Sequence, residues 1–294
     1  MTMTDAPPVA GAGRPRQRRR RPRTAILKHG GLLLFLVVMV YPLVWMVVSA
    51  FKPAHLILTE PGLVPTEVTF ENFREGWHAL NQPFSVFFLN SLVVTVGSIL
   101  GNLFSCSLAA YALARLEFRA RRLFFGITLV TVMLPMHVLI IPQYIFFAQL
   151  GWVDTYLPLL IPKLLATDAF FVFLMVQFIR GIPRDLDRAA EIDGAGHFRI
   201  FWHVILPLMR PALVTTTIFT FIWTWNDFFT PLIYLTSTDM YTVPVALSAM
   251  VSSESQQGIG MLFAMSLVSL LPVILFFVFA QRYLIRGMVT SGLK

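Results

Sequence analysis

The chain has 294 residues, 56% of them hydrophobic, 14% aromatic and only 13% charged, with a formal net charge of +8. Soluble domains carry about 25% charged residues, and a water-soluble chain of this length could not hide so much apolar surface. The composition therefore excludes an ordinary soluble domain and points to a bilayer as solvent, while a single cysteine, Cys106, excludes a disulfide framework or a cysteine metal site.

Much of the positive charge sits at the start, where Arg14, Arg16, Arg18, Arg19, Arg20, Arg21 and Arg23 crowd a Pro- and Gly-rich stretch. Residues 1–24 read as a disordered basic tail. Directly before an apolar segment, such a run is a topology signal rather than a nucleic-acid arm. The stretch 30–50 is 21 apolar residues, longer than the roughly 7–15 of a signal-peptide core. Although Val48, Ser49 and Ala50 resemble a cleavage site, it reads as a retained first span.

Six segments have the length and apolarity of spans: 29–51, 86–113, 123–145, 157–180, 211–235 and 260–285. The expectation is an all-α integral membrane protein with six transmembrane helices, residues 25–294 forming one membrane domain. The fourth segment carries Lys163 and Asp168 in its first half, and Lys163 is expected to snorkel to the outer surface. With the N-terminus inside, 20 of the 23 basic residues fall on inner segments and only Lys52, Arg74 and Lys163 do not. That bias places both termini in the cytoplasm of a multi-pass protein of the cytoplasmic (inner) membrane, in contact with its lipid. The outer segments are 52–83, with Glu60, Glu67, Glu71 and Glu75, and 237–258.

Span two carries Gly97, Gly101, Ser105 and Ala109 at intervals of four, a small-residue stripe that lets another backbone approach closely. Pro135, Pro142 and Pro272 are placed to kink spans three and six. Span five is unusually polar, with Thr215, Thr216, Thr217 and Thr220 followed by Trp223, Trp225, Asn226 and Asp227. Polar groups inside spans are functional candidates because lipid cannot satisfy them, so Trp223, Trp225, Asn226 and Asp227 are substrate-path candidates. The competing reading is an interfacial Trp belt. The six histidines lack metal-ligand spacing and no nucleophile–base constellation stands out, so neither a metal site nor an enzyme is expected.

The segment 183–210, cytoplasmic by this topology, reads as a short helix, a stop and a second helix. Pro183 suits a first helical turn, and Asp185 and Asp187 suit the positive end of the helix dipole. Leu186, Ala189, Ala190 and Asp193 fall on one side, opposite Arg184, Asp187, Arg188 and Glu191. Arg184 with Asp187 and Arg188 with Glu191 are spaced to pair along the helix. Gly194 can take the left-handed geometry that ends it. Such a helix suits a groove in another protein.

The stretch "AAEIDGAGHFRIFWHVILPLMRPAL" at 189–213 resembles the loop shared by inner-membrane permeases of binding-protein-dependent ABC importers. "NSL" at 90–92, "WND" at 225–227, "YTVPVAL" at 241–247 and the C-terminal "QRYLIRGMVTSGLK" resemble the carbohydrate-transporting, maltose-type branch. The resemblance implies a permease subunit with no cofactor of its own and ATP used by a partner. The implied partners are a second permease in a heterodimer, two ATP-binding subunits and an extracytoplasmic solute-binding protein near the last outer loop. It also implies that Leu186, Ala189, Ala190, Asp193, Gly194, Ala195 and Phe198 form the ATPase-coupling surface. One position departs, since the family's leading Glu is Arg188 here, which leaves Asp187 or Glu191 to meet a basic group on the ATPase. No G-x-x-x-x-G-K-[ST] loop occurs, consistent with a motor on another chain. The alternative is an ion-gradient-driven carrier acting alone, for which Asp227 is the chief buried carboxylate.

Overall fold

The computed structural model describes residues 22–251 and 256–291, and every regular element among them is helical. The basic tail through Arg21 lies outside the described residues. The chain divides into two compact units, 1–46 and 47–294. Helix α1, Pro22–Ala50, supplies the described part of the first, and its side chains from Lys28 to Val44 are exposed. In water that would be untenable; in lipid it is what a spanning helix presents.

The second unit is built around α4, Phe84–Arg115, about 48 Å long at about 1.5 Å per residue. Before it come α2, Ala54–Ile57, and α3, Glu71–Gly76, in the segment between α1 and α4. After it come α5, Arg121–Met133, and α6, Met136–Gln149. The expected span four is two helices, α7, Leu157–Leu164, and α8, Ala169–Arg180. The segment expected to be cytoplasmic is α9, Asp185–Ile192, then α10, His197–Ile200, a π-helical turn Phe201–Ile205 and α11, Leu206–Leu208. Span five is α12, Arg210–Trp225, with a separate α13, Phe229–Tyr234. The chain closes with α14, Val243–Val251, and α15, Gln256–Ser291.

Among the described residues, four helical stretches are long and apolar enough to cross a bilayer: Lys28–Ala50, Phe84–Arg115, Leu157–Arg180 (α7 and α8 together) and Gly258–Tyr283. Two further pairs qualify only if each bent pair counts as one span, so the count is four to six. Expected span three is not a kinked rod but two helices bent by 109°. The cause is local, because Leu134 precedes Pro135 and is pushed to ψ 124°, out of the helical region. Expected span five stops ten residues early, at Trp225, and the chain turns at Asn226 and Asp227 before α13.

Towards the C-terminal end of α4, Tyr111 and Cys106 pack with Phe171, Met175 and Ile179 of α8, with Ile200 of α10 and with Phe201 and Ile205 of the π-helical turn. The Tyr111 hydroxyl donates to the His197 carbonyl at 3.1 Å. The α10 segment is therefore part of the helical core, not a loose connector. At the other end of the unit, Phe84 and Phe87 pack with Val243 and Ala246 of α14 and Ala264 and Met265 of α15. Asn72 of α3 donates to the carbonyls of Ala50 and Lys52 at 3.0 and 2.7 Å. A Cβ at Gly260 would sit 2.4 Å from the Asn72 Oδ1, so α15 passes α3 at a distance only glycine permits.

Candidate functional site

The small-residue stripe of α4 faces α7. A Cβ on Gly97 would lie 2.7 Å from Leu160, and one on Gly101 would lie 3.1 Å from the Lys163 backbone. Ser105 donates to the Lys163 carbonyl at 2.6 Å, and Ala109 packs against the cluster around α8. This close approach positions a polar network that the amino-acid pattern alone did not assemble. Lys163 does not reach for the outer surface; its Nζ lies 3.0 and 2.9 Å from the two oxygens of Asp168. Asn102 of α4 donates to Asp168 Oδ2 at 2.7 Å and contacts Thr220 Oγ1 of α12 at 3.2 Å.

The network sits deep. Counting along each helix from Arg115, Arg180 and Arg210, its members lie about 15–20 Å from those ends, against a hydrocarbon core about 30 Å thick. A lone charge there is costly, whereas a paired one with further hydrogen bonds is tolerated. Lys163 and Asp168 flank the break between α7 and α8, where Ala166 adopts φ +55°. That left-handed conformation costs an alanine roughly 1–2 kcal/mol. The ion pair bridges the interruption. The usable signals were Asn102 in an apolar span and a Lys–Asp pair five apart in another.

The four substrate-path candidates diverge. Trp225 is buried, stacked on Phe221 at 5.8 Å and near Phe88. Trp223 is half exposed beside Phe170, Phe171 and Phe219. Asn226 donates back to the Ile222 carbonyl at 2.7 Å, and Asp227 accepts the Thr230 N–H at 3.2 Å at the start of α13. Asn226 and Asp227 therefore serve the turn that ends span five.

In the 183–210 segment, α9 is followed by Gly194 at φ +80°, and the Ala195 N–H reaches back to the Ala190 carbonyl at 2.9 Å. Ala190 and Ala195 pack against the core, while Ala189, Asp193 and Gly194 are exposed. Large apolar groups point outward too: Leu186 is 43% exposed, Ile192 87% and Phe198 72%. The charged side is rooted rather than solvated. Asp187 meets Arg115 of α4 at 2.9 Å, with side-chain exposures of 14% and 6%, and Arg115 also donates to the Ile182 carbonyl at 2.7 Å. Burial pushes the Asp187 carboxyl above its ordinary range, and Arg115 draws it part of the way back. The helix-internal pairs expected for Arg184 and Arg188 are replaced: Arg184 faces Glu117 at 4.0 Å and Arg188 faces Asp185 at 3.4 Å. Asp187 is thus committed within the chain, so of the two carboxylates expected to meet a partner, Asp187 and Glu191, it is Glu191 that is exposed.

The "NSL" and "YTVPVAL" motifs meet one another. Asn90 of "NSL" donates to the carbonyls of Asp239 and Tyr241 at 2.7 and 2.9 Å, and Ser91 accepts the Val243 N–H at 2.8 Å. They pin "YTVPVAL" to the top of α4.

Residues 101–290 match the family model described as the binding-protein-dependent transport system inner membrane component. The chain belongs to this family. The permease is 33% identical to the diacetylchitobiose uptake system permease protein NgcG of Streptomyces coelicolor, over 92% of this chain and 89% of that one. It is 31% identical to the trehalose/maltose transport system permease protein MalG of Thermococcus litoralis, over 90% and 95%. It superposes with a TM-score of 0.78, at 25% identity and covering 92% of this chain and 99% of the other, on a chain in the crystal structure of a bacterial ABC transporter involved in import of the acidic polysaccharide alginate. This permease is accordingly a membrane component of a transporter and not an enzyme.

Proposed function

We propose that this chain is one of two permease subunits of an ATP-driven importer that moves a carbohydrate inward across the cytoplasmic membrane. Both termini and the 183–210 loop face the cytoplasm, the two bent pairs each count as a span, and two ATP-hydrolysing subunits dock on α9 and Gly194 to Phe198. The observation that carries this reading is the build of α9. Its outer side offers Leu186, Ala189, Ile192 and Phe198 to a partner, while Asp187 and Arg115 tie its inner side to α4.

Force applied to α9 therefore enters the 32-residue helix α4 directly, and α10 carries it into α8 through Ile200, Phe201 and Ile205. Closure of the ATPases would tilt these helices between inward- and outward-open states, and the coupling must be reciprocal. A solute-binding protein engages the outer side near 241–258. Carbohydrate as cargo rests on the transport systems to which the two curated relatives belong.

Deletion of 186–194, or Gly194→Pro, should abolish uptake by the assembled complex while leaving membrane insertion intact. Full uptake by the deletion, or solute moved by the purified chain on an ion gradient, rejects the reading.

A further inference from the structure

A concave pocket of about 480 Å³ lies where α4, α5 and α8 meet the start of the α9 segment, lined by Arg115, Arg121, Arg180 and Arg184 with Gly181 and Pro183. We propose that it binds the phosphate of an anionic phospholipid headgroup. The charge does not cancel. Asp187 neutralises Arg115 and Glu117 lies 4.0 Å from Arg184, so four arginines face two carboxylates. A guanidinium has five donors, and the internal contacts consume few of them: Arg121 gives one to the Leu116 carbonyl at 3.2 Å, and Arg180 lies over the Phe125 ring at 4.5 Å. Phe125 stacks on Phe173 of α8, which holds the Arg180 head at the mouth of the pocket.

Depth identifies the ligand as a lipid. Apolar helices α4 and α8 end at this pocket, at Arg115 and Arg180, and α5 begins there at Arg121. It therefore sits at the level where hydrocarbon gives way to headgroups, whichever side of the membrane it faces. Helix α5 has no buried residue and turns Leu123, Ile127 and Val130 outward, an apolar wall for acyl chains directly beyond the arginines. Basic pockets between spanning helices at this level suit anionic headgroups. Because Arg115 and Arg184 also touch Asp187 and Glu117, an occupied pocket would brace the root of α9.

The test uses the complete complex, with its companion permease and ATPases, in vesicles of phosphatidylcholine alone or doped with phosphatidylglycerol. Phosphatidylglycerol carried through delipidation is counted by native mass spectrometry. The wild type should retain it, and Arg121→Gln with Arg180→Gln should bind it about 25-fold more weakly, about fivefold per arginine. Arg121→Lys with Arg180→Lys, which keeps the charge if glutamine disturbs folding, should retain most of the binding. Equal retention by wild type and the glutamine pair overturns the proposal. So does occupancy by inorganic phosphate matching that by the lipid, or lipid bound only after the ATPases are stripped away, which would give the pocket to the protein interface.

Discussion

Two ion pairs tie this permease together, and they do opposite work in opposite surroundings. Lys163 and Asp168 belong to one expected span, about midway along it by helix length, and clamp an interruption in that span, with Asn102 as the third partner. Arg115 and Asp187 lie on different elements at the headgroup level and fasten a surface helix to α4. The first pair exists because the break brings two charges together that hydrocarbon would otherwise punish separately. The second is buried between α4 and α9, with side-chain exposures of 6% and 14%, so each charge answers the other and fixes where α9 sits. The comparison teaches that a buried charge in this fold marks a joint: one inside a broken helix, one between a lever and its shaft.

The largest effect should come from Asp168→Ala, which strands Lys163 mid-membrane and should cost about 3–5 kcal/mol. Lys163→Met combined with Asp168→Leu should recover most of that loss, read as the thermal unfolding midpoint of the detergent-solubilised complex. A double variant as unstable as the single one would show that the pair is more than a mutual neutraliser. Asp187→Ala should cost about 2–3 kcal/mol and lower uptake while leaving insertion intact. Here pairwise apolar replacement should not restore transport, because Arg115 also holds the Ile182 carbonyl.

Smaller effects test the packing beneath the first joint. Gly101→Ala presses on the Lys163 backbone and should cost about 1–3 kcal/mol. Gly97→Ala meets only the movable end of Leu160 and should cost less than about 1 kcal/mol; equal costs would deny that α7 is held at backbone contact.

The smallest effect concerns a third joint, between the segment after α6 and the one after α13. Asp154 accepts the N–H groups of Thr236 and Ser237 at 2.9 Å each, and the Ser237 hydroxyl. That hydroxyl, with the backbone donors, holds the carboxyl below its ordinary 3.8. A depressed folded-state value stabilises above about pH 4 and is lost as pH falls through it. Asp154→Asn should therefore flatten only the acid limb of a stability–pH curve, and unchanged acid sensitivity would remove Asp154 from that joint.

Much of this was written along the chain. The helical class, the apolar runs, Gly194 ending α9 and the close-approach stripe of α4 are properties of neighbouring or periodic residues, and they are legible because helix geometry relates residues three and four apart. The bend of span three falls at Pro135, where a kink was expected, but at 109° it is far sharper than a kink; span five was read too long, because Asn226 and Asp227 bond to the turn itself. The partners of Lys163 and Asp187 lay beyond reach. Asn102 stands 66 residues from Asp168, and Arg115 and Asp187 are separated by two spans. Amino-acid order determined that these charges were costly and so had to be answered. Packing of α4 against α7, α8 and the α9 segment decided which groups answer them, since only the folded arrangement sets distances between helices.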